Sequence, residues 1–482
     1  MTTTLINLLT VGVYLLLLGG IGVWSFRQSG RDPVSYFLAD RGLEGLALTL
    51  TMLATLLSAF TFIGIPADAY THGLGIFLGV GVTDALLGLF FVTAGYRLWL
   101  AAQEHGWITP SQFFVSRFQS PLLGWLYSCS ALLFTAPYIS IQIMAGARTL
   151  SVVLGIPYTF LAVVVAVVIL GYVLMGGSRA VVWTDVVQAG ILVLGMVLAC
   201  VAFVSRGVGE IPGELQAWLS LPGPTGRWTW QGLISYQVMI FMAVPLFPQV
   251  FQRFYMAKNA QVFRTMGMVW PGLIVLVFFP ATLIGVWGRA LFPSLERAEL
   301  VMPTMLQTLP PGLAAVVIVA ALAALMSTAD SQLLTASSLV TQDWILRWVR
   351  LSPEQEQRLA RVVVVVIGLA SFVIAVNPPG LIMDIATWSF QGSAMLFPIL
   401  ILGLYWPRLN RAGAVTGGFV SSGLTLGWLS GILPMSWTGG WLPVIPATLI
   451  GTLSAVLVSY LTPTAGPPPL PHPTSKSGIP EA

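Results

Sequence analysis

Stretches of apolar residues, separated by short polar segments, fill the sequence from its first residues to about position 462. Thirteen of them are long enough to cross the ~30 Å hydrocarbon core of a bilayer. They run over residues 4–26, 46–71, 74–100, 122–150, 157–175, 181–204, 231–252, 264–290, 310–342, 361–377, 380–405, 411–432 and 441–462. The pattern predicts an all-α polytopic membrane protein with about 13 transmembrane helices, because helices satisfy their own backbone hydrogen bonds in lipid.

The second and seventh stretches carry helix-breaking prolines at bilayer depth. Pro66 follows Ser58 and Thr61 in the second stretch, and Pro245 and Pro248 lie close together in the seventh. A proline removes a backbone donor and clashes with the preceding turn, which lipid tolerates only where the freed groups line a cavity or meet protein partners. We expect broken helices that border a binding cavity; the alternative is a pair of ordinary proline kinks.

The two interrupted stretches are five spans apart, so each opens a run of five helices with opposite orientations. Matching breaks in the first helix of each run are typical of inverted-repeat transporters, whose binding site lies near the middle of the membrane. The predicted organisation is a first span and inner loop at 1–45, a first repeat at 46–204, an outer loop at 205–230, a second repeat at 231–405, two accessory helices at 406–462 and a tail at 463–482.

Charge is scarce and unevenly distributed. Only 8% of the 482 residues are Asp, Glu, Lys or Arg, and 56% are hydrophobic, whereas about a quarter of an average soluble domain is charged. With the N-terminus outside, sixteen Lys and Arg residues fall on the inner side and five on the outer side. This bias predicts an outer N-terminus and a cytoplasmic C-terminus, with a disordered proline-rich tail.

Several function classes find no support in the sequence. The basic residues are scattered, which argues against nucleic-acid binding despite the net charge of +4. The three histidines and two cysteines form no cluster with metal-ligand spacing, and no phosphate-binding or dinucleotide motif occurs. We therefore expect no enzymatic activity, no nucleic acid and no protein partner, but a small-molecule solute and the lipid bilayer.

Three sequence motifs resemble a known family. They are residues 36–43 (YFLADRGL) leading into 57–66 (LSAFTFIGIP), 176–188 (GGSRAVVWTDVVQ) and 323–334 (AALMSTADSQLL). They resemble the sodium/solute symporters, which include bacterial proline, pantothenate and monocarboxylate carriers. The resemblance implies a leucine-transporter-type core of ten helices, with one helix before it and two after. It also implies sodium-coupled import of a small organic solute by alternating access across a bacterial-type plasma membrane.

The resemblance assigns a sodium (Na+) site to the first break and the ninth stretch. By motif position, the ligands would be the backbone carbonyls of Ala54, Leu57 and Ala324 and the hydroxyls of Ser327 and Thr328. Sodium prefers such hard oxygen ligands, and an unwound helix exposes its carbonyls. The alternative is that the small polar residues of the ninth stretch only let helices pack closely.

Acidic residues within the spans point to a second ion site, because buried charges in a membrane are costly unless partnered or functional. Asp185 matches the acidic position of the family's second motif, and it could instead cap the sixth span. Together with Ser327, Asp330 and Ser331 it could bind a second sodium ion. Asp84 and Asp384 also lie within spans, and the sequence does not identify their partners.

The solute site is expected in the cavity bordered by the broken helices. Tyr138 falls where proline symporters have a tyrosine that contacts the solute. The candidate solute-binding residues are Ser58, Thr61, Tyr138, Gln142, Tyr236, Gln237 and Trp388. No Lys or Arg is predicted in this cavity, and its apolar, lightly hydroxylated lining suits an organic acid, such as a monocarboxylate or pantothenate, or an amino acid, such as proline, better than a sugar.

Two other functions remain open at this point. A proton-coupled carrier on the same scaffold would use Asp185 or Asp330 to relay protons. A membrane sensor is a second alternative, but nothing after residue 462 is long enough to fold as a signalling domain.

Overall fold

The computed structural model describes residues 3–28, 33–205 and 213–462, and these residues are almost entirely helical. Nineteen α-helices occupy them: α1 Thr3–Gln28, α2 Pro33–Leu38, α3 Gly45–Leu56, α4 Ile65–His72, α5 Val82–Phe90, α6 Tyr96–His105, α7 Ser111–Phe118, α8 Pro121–Leu154, α9 Tyr158–Val204, α10 Trp230–Ala243, α11 Pro248–Phe254, α12 Gln261–Leu291, α13 Val301–Gln307, α14 Pro311–Ser338, α15 Pro353–Val376, α16 Ile382–Ala394, α17 Phe397–Tyr405, α18 Arg411–Leu429 and α19 Val444–Leu461. The predicted tail at 463–482 lies outside the described residues.

Short helical segments of other types connect or extend these helices. The π-helical segments are Phe60–Gly64, Phe77–Gly81, Phe91–Gly95 and Leu339–Ile345. The 3₁₀ segments are Ala39–Arg41, Gly213–Leu219, Val244–Leu246, Ala298–Leu300 and Met435–Thr438. Through the π segments, α5 and α6 join into one span, Phe77–His105, and α14 extends into the span Pro311–Ile345.

The expected all-helical membrane fold is confirmed. Eight helices of the described residues are long and apolar enough to cross a bilayer, and two bent helix pairs raise that number to ten. Two further stretches, Leu5–Ile21 and Tyr158–Leu174, form shorter apolar helices. The number of thirteen spans therefore stays a prediction.

The first bent pair joins Gly45–Leu56 to Phe60–His72 at an angle of 58°. The helix ends because Leu57 adopts an extended conformation, with φ −75° and ψ 102°. The break thus precedes Pro66, which occupies the second position of α4. Pro66 therefore lies inside the helical half Phe60–His72, shortly after the π-helical segment Phe60–Gly64.

The second bent pair joins Trp230–Leu246 to Pro248–Phe254 at 60°. Here the extended residue is Phe247, with φ −57° and ψ 126°, and Pro248 begins α11. The residue before a proline is driven out of the helical region by the proline ring. In this span, the sequence motif therefore marks the break itself.

The bundle is centred on α14. The span that contains this helix is Pro311–Ile345, and 83% of its most apolar 18 residues are buried inside the protein. Helix α14 packs against α9, α8 and α1. The approach to α9 is close, since a Cβ on Gly195 would lie 2.2 Å from the Cβ of Ala320. The helix α9 bends at Gly177, whose φ of 64° favours glycine. Helices α3 and α4 lie against α12, which supports the first bent pair.

A methyl group added to α12 at Gly285 should weaken this support. Its Cβ would lie 2.2 Å from the backbone oxygen of Pro66, which cannot rotate away as a side chain does. We expect Gly285→Ala to destabilise the protein by about 1–3 kcal/mol. Gly272 is the control on the same helix, because its Cβ would meet no atom within 4 Å, and Gly272→Ala should be neutral or slightly stabilising. Thermal unfolding in detergent compares the two; equal unfolding temperatures would contradict this packing.

Candidate ion and solute site

A cavity lies between the two breaks. Its lining includes Thr61 from the first bent pair, Phe247 from the second, Tyr138 from α8 and Phe390 from α16. All four side chains are at least 95% buried. The structure thus has a small cavity, with room for about one water molecule, between the interrupted helices.

Tyr138 contacts both broken helices. Its hydroxyl lies 3.2 Å from the hydroxyl oxygen of Ser58. Its ring packs against Phe247 and Phe390, with ring centroids 5.4 and 5.5 Å away. Tyr138 thus combines an aromatic face with a polar end beside the first break, which is what a small amphipathic solute requires.

The hydrogen bonds lost at the first break are replaced by side chains. Gln142 accepts a hydrogen bond from the backbone N–H of Ala59 at 3.0 Å, and its amide donates to the carbonyl of Tyr138 at 3.3 Å. The hydroxyl of Ser58 accepts from the N–H of Phe60 at 3.1 Å. Gln142, predicted to contact solute, has both ends of its amide engaged in holding the break.

Of the seven predicted solute residues, Thr61 and Tyr138 line this cavity, and five do not: Ser58, Gln142, Tyr236, Gln237 and Trp388. Gln237 donates to the carbonyl of Leu78 at 3.1 Å. The ring of Trp388 packs on that of Phe134 at 4.5 Å. Tyr236 bonds to Arg227. Tyr236, Gln237 and Trp388 lie in predicted spans, but the sequence does not determine which way each side chain points.

Four of the five residues predicted to bind sodium, Ala54, Ala324, Ser327 and Thr328, contact one another beside the first break. Ser327 donates to the carbonyl of Ala54 at 2.8 Å, and Thr328 lies 3.5 Å from the same oxygen. Thr328 also donates to the carbonyl of Ala324 at 3.2 Å. Leu57 is the residue at which α3 ends. All five are completely buried, so the arrangement gathers neutral oxygen atoms away from water.

A second cluster surrounds Asp185. Its Oδ2 accepts from the hydroxyl of Thr51 at 2.5 Å and from the guanidinium of Arg253 at 2.7 Å. The same guanidinium nitrogen lies 2.7 Å from the hydroxyl oxygen of Ser331, which in turn donates to Asp330 at 3.2 Å. The four residues predicted for a second ion, Asp185, Ser327, Asp330 and Ser331, are therefore neighbours, and they share their site with Arg253.

Arg253 was expected in an inner loop, one residue beyond the predicted end of the seventh stretch. The structure instead makes it part of α11, with only 2% of the residue exposed. The signal in the sequence was its position five residues after Pro248, because the second half of a broken helix runs on from such a proline. The expectation that no Lys or Arg lines the cavity holds for the described lining residues.

The remaining two acids differ in environment. Asp384 is exposed, and its carboxylate accepts from the backbone N–H of Leu381 at the start of α16. Such capping stabilises a helix N-terminus. Asp84 is buried, lines the cavity and has no partner for its Oδ1 among the described residues.

Two bent helices around a cavity, with buried oxygen atoms at one bend, define a secondary transporter. The chain belongs to the sodium:solute symporter family, whose model matches residues 36–421. The sodium/pantothenate symporter of Escherichia coli (strain K12) is 29% identical over 431 residues, covering 86% of this chain and 88% of the relative. The sodium/proline symporter of the same strain is 26% identical and covers 94% of this chain and 93% of its own length.

The fold also resembles that of a solved sodium-coupled symporter. A Na+-coupled sialic acid symporter in a substrate-bound outward-open state superposes with a TM-score of 0.80 at 23% identity, over 95% of this chain and 98% of that one. This chain is thus a multi-pass membrane protein that couples the movement of a small solute to Na+. Its relatives are transporters. The sequence left sodium coupling, proton coupling and a sensor function open, and membership of this family supports sodium coupling.

Removing one partner of the buried ion pair should destabilise the protein strongly. In Asp185→Asn, the buried Arg253 guanidinium loses the carboxylate that it bonds directly, which costs about 3–5 kcal/mol. The double variant Asp185→Asn/Arg253→Gln removes both charges and should recover much of the loss. Thermal unfolding in detergent measures these differences.

The control is an exposed ion pair. Lys258 lies 2.7 Å from Glu44, with side chains 55% and 74% exposed. Lys258→Gln should barely change the unfolding temperature, because solvent screens such pairs. The buried ion pair would be contradicted if Asp185→Asn lowered the unfolding temperature no more than Lys258→Gln does. It would also be contradicted if Asp185→Asn/Arg253→Gln were less stable than Asp185→Asn.

Proposed function

We propose that this chain imports a small organic solute, in the size class of pantothenate or proline, with sodium bound at the first break. The observation that carries the proposal is the contact of the Ser327 and Thr328 hydroxyls with the carbonyl of Ala54. The proposed ligands are these two hydroxyls and the carbonyls of Ala54, Leu57 and Ala324. Sodium-coupled relatives for pantothenate and for proline support this solute class.

The coupling follows from a shared segment. The proposed sodium ligands Ala54 and Leu57 immediately precede Ser58 and Thr61, the proposed solute residues. An ion that draws the Ala54 and Leu57 carbonyls toward α14 also fixes the conformation of the next turn. Solute then meets a site that is already ordered, which gives a favourable coupling free energy between the two ligands.

The remaining solute assignments differ in support. Ser58, Thr61 and Tyr138 are proposed as direct contacts because they lie at the cavity or border it. Gln142 is proposed to act through the shape of the break. Tyr236, Gln237 and Trp388 are kept as solute contacts of a conformation in which the helices have moved, as alternating access requires.

A second sodium ion is proposed at Asp185, Ser327, Asp330 and Ser331. Its support is the pair of buried carboxyl groups, each with an oxygen that has no hydrogen-bond partner in the described residues. The Arg253 guanidinium lies in the same cluster, so a second ion would enter as this side chain moves away.

The energetic reason for a second sodium ion applies to charged solutes. One sodium ion crossing ~100 mV releases ~2.3 kcal/mol, and a tenfold gradient adds ~1.4 kcal/mol, together enough for roughly 500-fold accumulation of a neutral solute but only about tenfold of a monovalent anion.

The proposed setting is a bacterial plasma membrane, with the N-terminus outside and the C-terminus in the cytoplasm. The distribution of sixteen inner and five outer basic residues supports this orientation. The proposed units are inverted repeats at 46–204 and 231–405, which the two bends of similar angle support. We propose transport without catalysis, and no nucleic acid or protein partner.

Loss of one hydroxyl ligand should weaken sodium binding. We expect Ser327→Ala and Thr328→Ala to raise the sodium concentration for half-maximal uptake by roughly tenfold. Uptake into proteoliposomes, measured across a sodium titration, gives this value. Ser337→Ala is the control: Ser337 is a completely buried serine of the same helix whose hydroxyl bonds only to its own helix, at the carbonyl of Leu334. If all three variants respond to sodium as the wild type does, the site is wrong.

The Hill coefficient of the same titration tests the second ion. Two cooperating ions give a coefficient above one, and Asp330→Ala should lower it to one while transport persists. A wild-type coefficient of one would exclude the second sodium ion and leave Asp330 as a polar contact of α14.

A further inference from the structure

One carboxyl group faces the cavity without an assigned role. Asp84 lies within the span Phe77–His105, and the residue is 3% exposed. It lines the cavity together with Thr61 and Tyr138. Its backbone carbonyl accepts from the indole N–H of Trp270 at 2.7 Å, which holds this turn of α5 in place. Its Oδ1 has no hydrogen-bond partner among the described residues. The group therefore has unused bonding capacity at the cavity wall.

An amide group faces the same cavity from the second break. Gln249 follows Pro248 in α11 and is 2% exposed. It lines the cavity, and its Oε1 likewise has no hydrogen-bond partner among the described residues. A buried polar group without a hydrogen-bond partner costs free energy unless something bonds to it. Both are explained if a polar ligand completes them.

The rest of the wall is mainly aromatic and aliphatic. The rings of Tyr138, Phe247 and Phe390 contact one another with centroids 5.2 to 5.5 Å apart, and all three line the cavity. Such faces bind apolar groups and also attract an ammonium group through their π-electrons.

No protein cation neutralises Asp84 at the cavity. The described residues that line it include neither lysine nor arginine. The buried Arg253 is engaged by Asp185 and Ser331, each at 2.7 Å. A carboxylate at membrane depth needs a positively charged partner or a proton. A solute that carries only a negative charge would meet an unfavourable potential here.

We infer that Asp84 binds the protonated amino group of the solute, so the carrier takes amino acids or related zwitterions in preference to carboxylic acids that lack an amine. This inference rests on the proposed function and narrows its solute class. The Oε1 of Gln249 can accept from the same amino group while its N–H donates to the solute carboxylate, and the aromatic rings cover the apolar part of the solute.

The test is uptake by the full chain in proteoliposomes under an inward sodium gradient. The panel pairs labelled apolar α-amino acids, including proline, with amine-free acids, namely propionate and pantothenate. We expect an amino acid to be accumulated well above the amine-free acids. Asp84→Asn should raise the half-saturating concentration of that amino acid by tenfold or more, because a charge-assisted bond is lost, and Asp84→Glu should retain part of the affinity.

The controls separate this inference from the sodium site. Thr83→Val changes the adjacent buried residue, whose hydroxyl bonds to its own helix at Gly79, and should leave uptake unchanged. Sodium should still raise the unfolding temperature of Asp84→Asn without solute, showing a folded protein with an intact ion site. Preferred uptake of an amine-free acid, or an unchanged half-saturating concentration in Asp84→Asn, would overturn the inference while sodium coupling stands. A wild type that accumulates no solute under the gradient would overturn both.

Discussion

A backbone segment that leaves its helix inside a bilayer must find hydrogen-bond partners within the protein, because lipid offers none. At the first break, Ser58 and Gln142 bond to the backbone N–H groups that follow Leu57. On the preceding turn, the hydroxyl of Ser327 bonds to the carbonyl of Ala54. The break is therefore held by α8 on one side and α14 on the other. This double attachment places oxygen ligands and solute-facing side chains within a few residues of each other.

The same requirement governs the buried charges. Asp185 is paired with Arg253 and accepts from Thr51, both through its Oδ2. The Oδ1 of Asp84 has no such partner among the described residues, although the side chain is also buried. The contrast separates a charge that the fold neutralises itself from one that a ligand would neutralise. It also explains why the cavity can be mostly apolar and still select a polar solute.

Much of the fold could be predicted from the sequence, because apolar length and interrupting prolines are direct consequences of the bilayer. Side-chain direction could not be predicted in the same way. Gln237 and Trp388 lie on predicted cavity helices, yet their side chains pack away from the cavity lining. Arg253 was missed because a shift of one residue in a span boundary turns a buried charge into a loop residue. The first break lies at Leu57 and not at Pro66. The N–H of Ala59, two residues after Leu57, bonds to Gln142 of α8, and a contact with a distant helix cannot be predicted from the local sequence.

Sodium and solute are proposed to bind to one broken helix and to stabilise each other there. Isothermal titration of the purified protein tests this coupling, with the solute affinity determined with and without sodium and the sodium affinity with and without solute. Linkage requires that each ligand increase the affinity of the other by the same factor, and a shared segment predicts a factor well above one. Solute affinity that does not depend on sodium, with sodium affinity that does not depend on solute, would contradict the account.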